Sequence, residues 1–259
     1  VCSLLVFGTF LLASGFLTMT PWLFSVALLT LLPAMLALLA SLALGMWRHR
    51  MKRFKAAAEV VQSARFALAA LAVTVVAGLV LAGNYAGWWQ APAALRTQHP
   101  LWGLAGWLGL LVIGMSYQLI PVFQATELYP RWMTRLLGPM VMALLAVLLL
   151  VSQKAFPAAR QIALAAEIML ALALGAFALV PLHRLLTRKR PHPDITTAFW
   201  LSGMVCLLAA LTLWVASLLG LGVPPLLTGS LVIVGFGLSV VNGMLYKIVP
   251  FLLWFNMQR

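Results

Sequence analysis

Long apolar runs, separated by short loops and almost free of internal charge, constrain this chain more than any other feature. About 20 apolar residues carry a helix across a bilayer's hydrocarbon core. The runs cover Ser3–Leu17, Trp22–Trp47, Phe66–Ala82, His99–Phe123, Leu136–Ser152, Gln161–Leu182, Ile195–Leu219 and Pro225–Phe255. They are continuous and do not alternate, so helices are expected over barrel strands. A helix satisfies its backbone bonds locally, which lipid requires. Interior prolines such as Pro33 and Pro250 are tolerated because neighbouring helices take up the freed carbonyls. With 64% hydrophobic and 8% charged residues, a water-soluble fold could not hide this surface. The expected fold class is all-α: a polytopic transmembrane bundle of about eight spans, in one domain over residues 1–259.

Loop charges set the orientation. Of the 17 lysines and arginines, 13 fall in alternate loops, three in the others, and Lys247 lies inside the last run. Cytoplasmic loops retain Lys and Arg. The rule places Met46–Arg65, Gln124–Arg135, Arg184–Asp194 and the C-terminus in the cytoplasm of a bacterial inner-membrane protein. Trp22, Trp88, Trp89, Trp102, Trp132 and Trp254 fall near run ends, as an interfacial aromatic belt does. Met51–Arg65 reads either as a short amphipathic surface helix or as a continuation of its neighbours. The net charge of +13 does not indicate nucleic acid, because no basic, aromatic-interleaved soluble surface is available for a strand. The environment is lipid, with room for membrane-protein partner subunits. Cys2 and Cys206 are far apart, with no CxxC, so neither a disulfide framework nor a zinc site is expected. The chain begins at Val1 with no basic stretch before its first run. It reads as a fragment lacking N-terminal sequence, not as a signal peptide.

Few residues carry chemistry. Of the four acids, Glu59, Glu127 and Asp194 fall in loops, while Glu167 lies about two turns into the sixth run, where a carboxylate needs a cavity or a partner. Either it is a functional acid, or it reaches interfacial water or leans toward Arg160. Of the histidines, His49 and His192 are in basic loops, His183 closes the sixth run and His99 opens the fourth. At about 100° per residue, His99, Gly103, Gly106, Trp107, Leu110, Gly114, Tyr117, Gln118, Pro121 and Gln124 share one inward face. Small residues there permit close helix packing or leave space for a flat ligand. Gly235, Ser239, Asn242, Gly243, Tyr246 and Pro250 form a second stripe in the eighth run, with Lys247 at its edge. Lys247 either snorkels to the cytoplasmic surface or meets an anionic group such as a propionate or phosphate. No Ser–His–Asp set, HExxH, Gly-rich phosphate loop or carboxylate pair is present, so no catalytic residue is assigned and the reading leans away from an enzyme.

Two runs carry a family likeness. His99-x3-Gly103-x2-Gly106-Trp107-Leu108-Gly109-x4-Gly114-x-Ser116-Tyr117-Gln118-Leu119-x-Pro121 resembles a span of bacterial membrane proteins related to the heme–copper oxidase subunit I superfamily and the nitric-oxide-response membrane proteins. Tyr246-Lys247-Ile248-Val249-Pro250-Phe251-Leu252-x-Trp254-Phe255 resembles their closing span. The resemblance covers about forty residues. It implies a helical bundle with a heme contact, His99 as the iron ligand, and Gly103, Gly106, Trp107 and Tyr117 around the cofactor. Those oxidases hold low-spin heme with two histidines and build a copper site from three more. This chain has four in all, with no second one at the depth of His99, so it is not expected to reduce oxygen or nitric oxide alone. Three readings stand. The first is a non-catalytic or redox-accessory heme-copper-oxidase-like protein. The second is a small-solute permease using a cavity between the fourth and eighth spans, where Asn242 and Tyr117 would matter to transport; Gln118, Glu167, Asn242, Tyr246 and Lys247 are the cavity or ligand candidates in the chain as a whole. The third is a ligand-free assembly or structural subunit.

Overall fold

A computed structural model describes residues 1–48, 58–152, 157–189, 192 and 194–258. Helices account for its regular structure, and no strand occurs among the described residues. They are α1 (Cys2–Thr18), α2 (Pro21–Arg48), α3 (Ala58–Tyr85), α4 (Leu95–Leu101), α5 (Leu110–Gln124), α6 (Arg131–Ser152), α7 (Ala159–Leu186), α8 (Ile195–Leu218), α9 (Pro225–Ser230) and α10 (Ser239–Met257). A π-helical stretch, Trp102–Gly109, joins α4 to α5, and a second, Leu231–Leu238, joins α9 to α10. Leu95–Gln124 and Pro225–Met257 are thereby each one continuous helix.

Seven of these helices are long and apolar enough to cross a membrane. The expected first span, α1, has 17 residues. At 1.5 Å per residue it reaches about 26 Å, short of the ~30 Å hydrocarbon core. The surface helix envisaged over Met51–Arg65 falls partly on residues 51–57, outside those described. From Ala58 onward the chain is already α3, as the continuation reading had it.

The chain divides into two contact units, Val1–Ala58 with Arg65–Trp107, and Glu59–Ala64 with Leu108–Arg259. In the first, α1 and α2 form a hairpin that turns at Met19, whose φ is 51°. Gly8 lets α1 close on Leu31 and Thr30, because a Cβ there would lie 2.7 Å from Leu31 Cγ. Phe24 is packed by Phe16 edge-on and by Tyr85 face-on, with centroids 5.0 and 5.2 Å away.

In the second unit, α6, α7, α8 and α10 pack around Met133, Leu137, Val141 and Leu145, Leu170, Phe177 and Leu185, Trp200 and Met204, and Val240. The α6 residues recur every four positions, one helix face. The opposite faces present Leu136, Leu150, Leu172 and Leu179 outward. Exposed leucine is normal against lipid, where apolar burial does not drive association and close packing takes its place. Gly203 and Gly243 serve that packing. A Cβ would lie 2.9 Å from Val240 Cγ2 and from Phe199 Cβ, respectively.

The π stretches alter which residues face inward. Their bonds close over five residues instead of four, so each residue advances less than the 100° used to lay out the stripes. Gly106, Leu110, Gly114, Tyr117 and Gln124 are buried as expected. Gln98, Trp102 and Ala105 are buried too, whereas Trp107 is 38% exposed and Gln118 is exposed. In the eighth span the buried residues are Phe236, Gly237, Val240 and Gly243, and Tyr246 lies outside at 56% exposure.

Candidate functional site

His99 is held in the first unit by its own packing. The ring Nδ1 lies 3.0 Å from the Thr74 carbonyl of α3. A carbonyl only accepts, so Nδ1 is the donor in this contact, and Nε2 is the ring nitrogen it leaves unused. The ring rests on Gly78, where a Cβ would come within 2.8 Å of Cε1. Gly103, one turn on, faces Thr74, with its missing Cβ 3.2 Å from the Thr74 methyl. Both glycines are thus used to bring α3 against the helix bearing His99. Gly106 is buried. Trp102 is buried to 4% exposure, and its Nε1 has no hydrogen-bond partner among the described residues. It lies three residues after His99, a spacing that puts two side chains on neighbouring parts of one helix face.

Tyr117, also expected near a cofactor, lies in the second unit. Its hydroxyl donates to the Met133 carbonyl at 3.2 Å, and its ring meets Tyr129 edge-on at 5.0 Å. It ties α5 to α6. Burial pushes the Tyr129 phenol above its ordinary range.

A polar node that sequence reasoning missed joins three elements of the second unit. Asp194 caps α8, accepting from the Thr197 amide at 2.8 Å and from its hydroxyl at 2.8 Å. Gln124, at the end of α5, donates to Asp194 Oδ1 at 3.3 Å and accepts from the Thr197 hydroxyl at 2.7 Å. Lys247 of α10 reaches Asp194 Oδ2 with Nζ at 2.6 Å. Burial alone would raise the Asp194 carboxyl. The hydrogen bonds from Lys247, Thr197 and Gln124 outweigh it and hold the carboxyl well below the ordinary aspartate range. Lys247 therefore has an anionic partner within the chain. The capping signal was legible, since Asp194 directly precedes an apolar run, but its pairing with a lysine 53 positions later was not.

The space beside this node, between the fourth and eighth spans, is about 10 Å³, lined by Phe123, Gln124, Trp200, Gly243 and Lys247 among others. That is room for about one water at most. The remaining candidates stand apart. Asn242 donates to the Leu238 carbonyl of its own helix at 2.9 Å, and Tyr246 stacks on Phe199 at 5.7 Å. Glu167 is half-buried in α7, with no hydrogen bond or ion pair among the described residues, so it does not reach Arg160. A second ion pair, Arg184–Glu127, links α7 to the α5–α6 loop. No group of three or more His, Cys, Asp or Glu side chains suited to a metal ion occurs among the described residues.

Fold and loops together define a multi-span helical membrane protein. No protein-family model, curated protein or solved structure matches the chain.

Proposed function

We propose that this chain is a non-catalytic, redox-accessory protein of a bacterial inner membrane that holds one heme through His99. The observation that carries the reading is the Nδ1–Thr74 carbonyl contact, which leaves Nε2 as the available donor. Metal-bound histidines commonly donate their other ring N–H to a carbonyl, which fixes tautomer and ring orientation. The unpartnered indole N–H of Trp102 adds a buried donor nearby, suited to an anionic acceptor such as a propionate. His99 would ligate the iron and Trp102 would anchor the porphyrin edge; when bound, the group supplies one-electron redox chemistry. The chain's own part is to fix the orientation of the His99 ring through Thr74.

An absorption spectrum of membranes enriched in full-length protein, made with adequate heme, tests this. A Soret band is expected, lost in His99→Ala and retained in His183→Ala. No band in wild-type protein overturns the reading.

One observation favours a ligand-free subunit instead. Gly78 and Gly103 are filled by the His99 ring and the Thr74 methyl, so they supply close helix approach and not an open slot. On that reading the spectrum is featureless, His99→Ala lowers only thermal stability, and a membrane partner co-purifies.

A further inference from the structure

A groove of about 650 Å³ lies in the first unit, and His99 is not among its lining residues. Leu39, Ala43 and Met46 of α2 form one wall, and Leu68, Ala69 and Ala72 of α3 the other. Leu39, Ala43 and Met46 recur at one-turn spacing, and Leu68 and Ala69 each lie one turn from Ala72, so each wall is one apolar side of its helix. Trp47 and Arg65 complete the lining. Trp47 is 65% exposed in the last turn of α2, with Arg48 beside it. Tryptophan at a span end sits at headgroup level.

Arg65 is the informative residue. It is exposed, and it makes no hydrogen bond or ion pair among the described residues. The chain has only four acids, and Glu127 and Asp194 are already paired elsewhere. A guanidinium without an anion thus stands over an apolar groove whose volume lies within the ~300–1,000 Å³ typical of ligand sites. A soluble anion would leave the apolar walls unused. A neutral lipid would leave the charge unmatched. An amphiphile with an acyl chain and a phosphate head satisfies both, because guanidinium binds phosphate through two parallel hydrogen bonds.

We propose that the α2–α3 groove binds one anionic phospholipid, its phosphate on Arg65 and an acyl chain along Ala43 and Ala69. This goes beyond the heme reading and is independent of it.

Native mass spectrometry of the full chain in non-ionic detergent tests it, with phosphatidylglycerol and phosphatidylcholine of identical acyl chains offered together. Phosphatidylglycerol is expected to be retained, and soluble glycerophosphate not to displace it. Arg65→Gln should weaken retention about tenfold. Ala69→Trp, which fills the groove without changing charge, should weaken it as well, while Arg96→Gln should leave it unchanged. Equal retention of the two lipids overturns the proposal. So does unaltered retention in Arg65→Gln, or a lipid-free dimer that Ala69→Trp dissociates. Where Arg65→Gln does not elute monodisperse, Arg65→Lys replaces it, and unchanged retention in both Arg65→Lys and Ala69→Trp is the overturning result.

Discussion

Lys247 Nζ lies 2.6 Å from Asp194 Oδ2, joining the closing span to the N-cap of α8. Neither residue is more than a third exposed, at 28% and 30% of the side chain. The pair is the charged centre of a node that Gln124 and Thr197 complete.

A double-mutant cycle measures it. Asp194→Asn keeps the α8 cap, because asparagine caps as well as aspartate, and removes only the charge. Lys247→Met removes the partner. A coupling of about 1 kcal/mol is expected between them. The pH dependence follows from the depressed carboxyl. Its contribution is fully present above the unfolded aspartate value, about 3.9, and is lost as pH falls from there through the lower folded value. Thermal midpoints in detergent across acidic pH should show the wild-type advantage over Asp194→Asn shrinking in that window. A constant difference down to the lowest pH tested would mean that the ion pair does not stabilise the fold.

Gly78 and Gly45 form a contrasting pair of helical glycines. At Gly78 an added Cβ would lie 2.8 Å from His99 Cε1, and the ring is tethered through Nδ1 to Thr74. Gly78→Ala should cost about 1–3 kcal/mol through overpacking. Gly45 has nothing within 4 Å of the same position. Gly45→Ala should be neutral, or stabilising by up to about 1 kcal/mol from helix propensity. Midpoints of the two variants, measured side by side, decide it. A Gly78→Ala protein as stable as wild type would show that His99 does not rest where described.

The orientation inferred from loop charge is open to direct labelling. In a background with Cys2 and Cys206 changed to Ser, a single cysteine replaces either Lys189 or Gly220. A membrane-impermeant maleimide applied to intact cells should reach position 220 and not position 189. The reverse pattern would place the basic loops outside.

Much of the fold was legible in the residues. Apolar length marks a span because lipid leaves no alternative partner for the backbone. Trp22–Trp47 therefore became Pro21–Arg48, and Ile195–Leu219 became Ile195–Leu218. Edges drifted where polar residues prolong a helix into the interface. The run expected from Phe66 starts at Ala58, because Glu59, Gln62 and Arg65 are good helix formers that hydropathy discounts. The candidate site was less legible. His99 stood out in the sequence as the histidine opening a glycine-lined helix face, but its contact with Thr74, 25 residues earlier, did not. Trp102 was placed in an aromatic belt and is instead a buried donor. Trp107 and Gln118 were assigned inward by a constant helical period that the π stretch does not keep.

Sequence alone determined the apolar surroundings, the helical class and the rough position of most runs. Each depends on local chemistry, namely whether a stretch of backbone can bond to itself while its side chains dissolve in lipid. Tertiary structure alone decided which glycines are filled, which nitrogen of His99 is available, and that Lys247 pairs with Asp194. Those outcomes depend on which distant residues meet, and a 2.6 Å contact between positions 194 and 247 has no local signature in either segment.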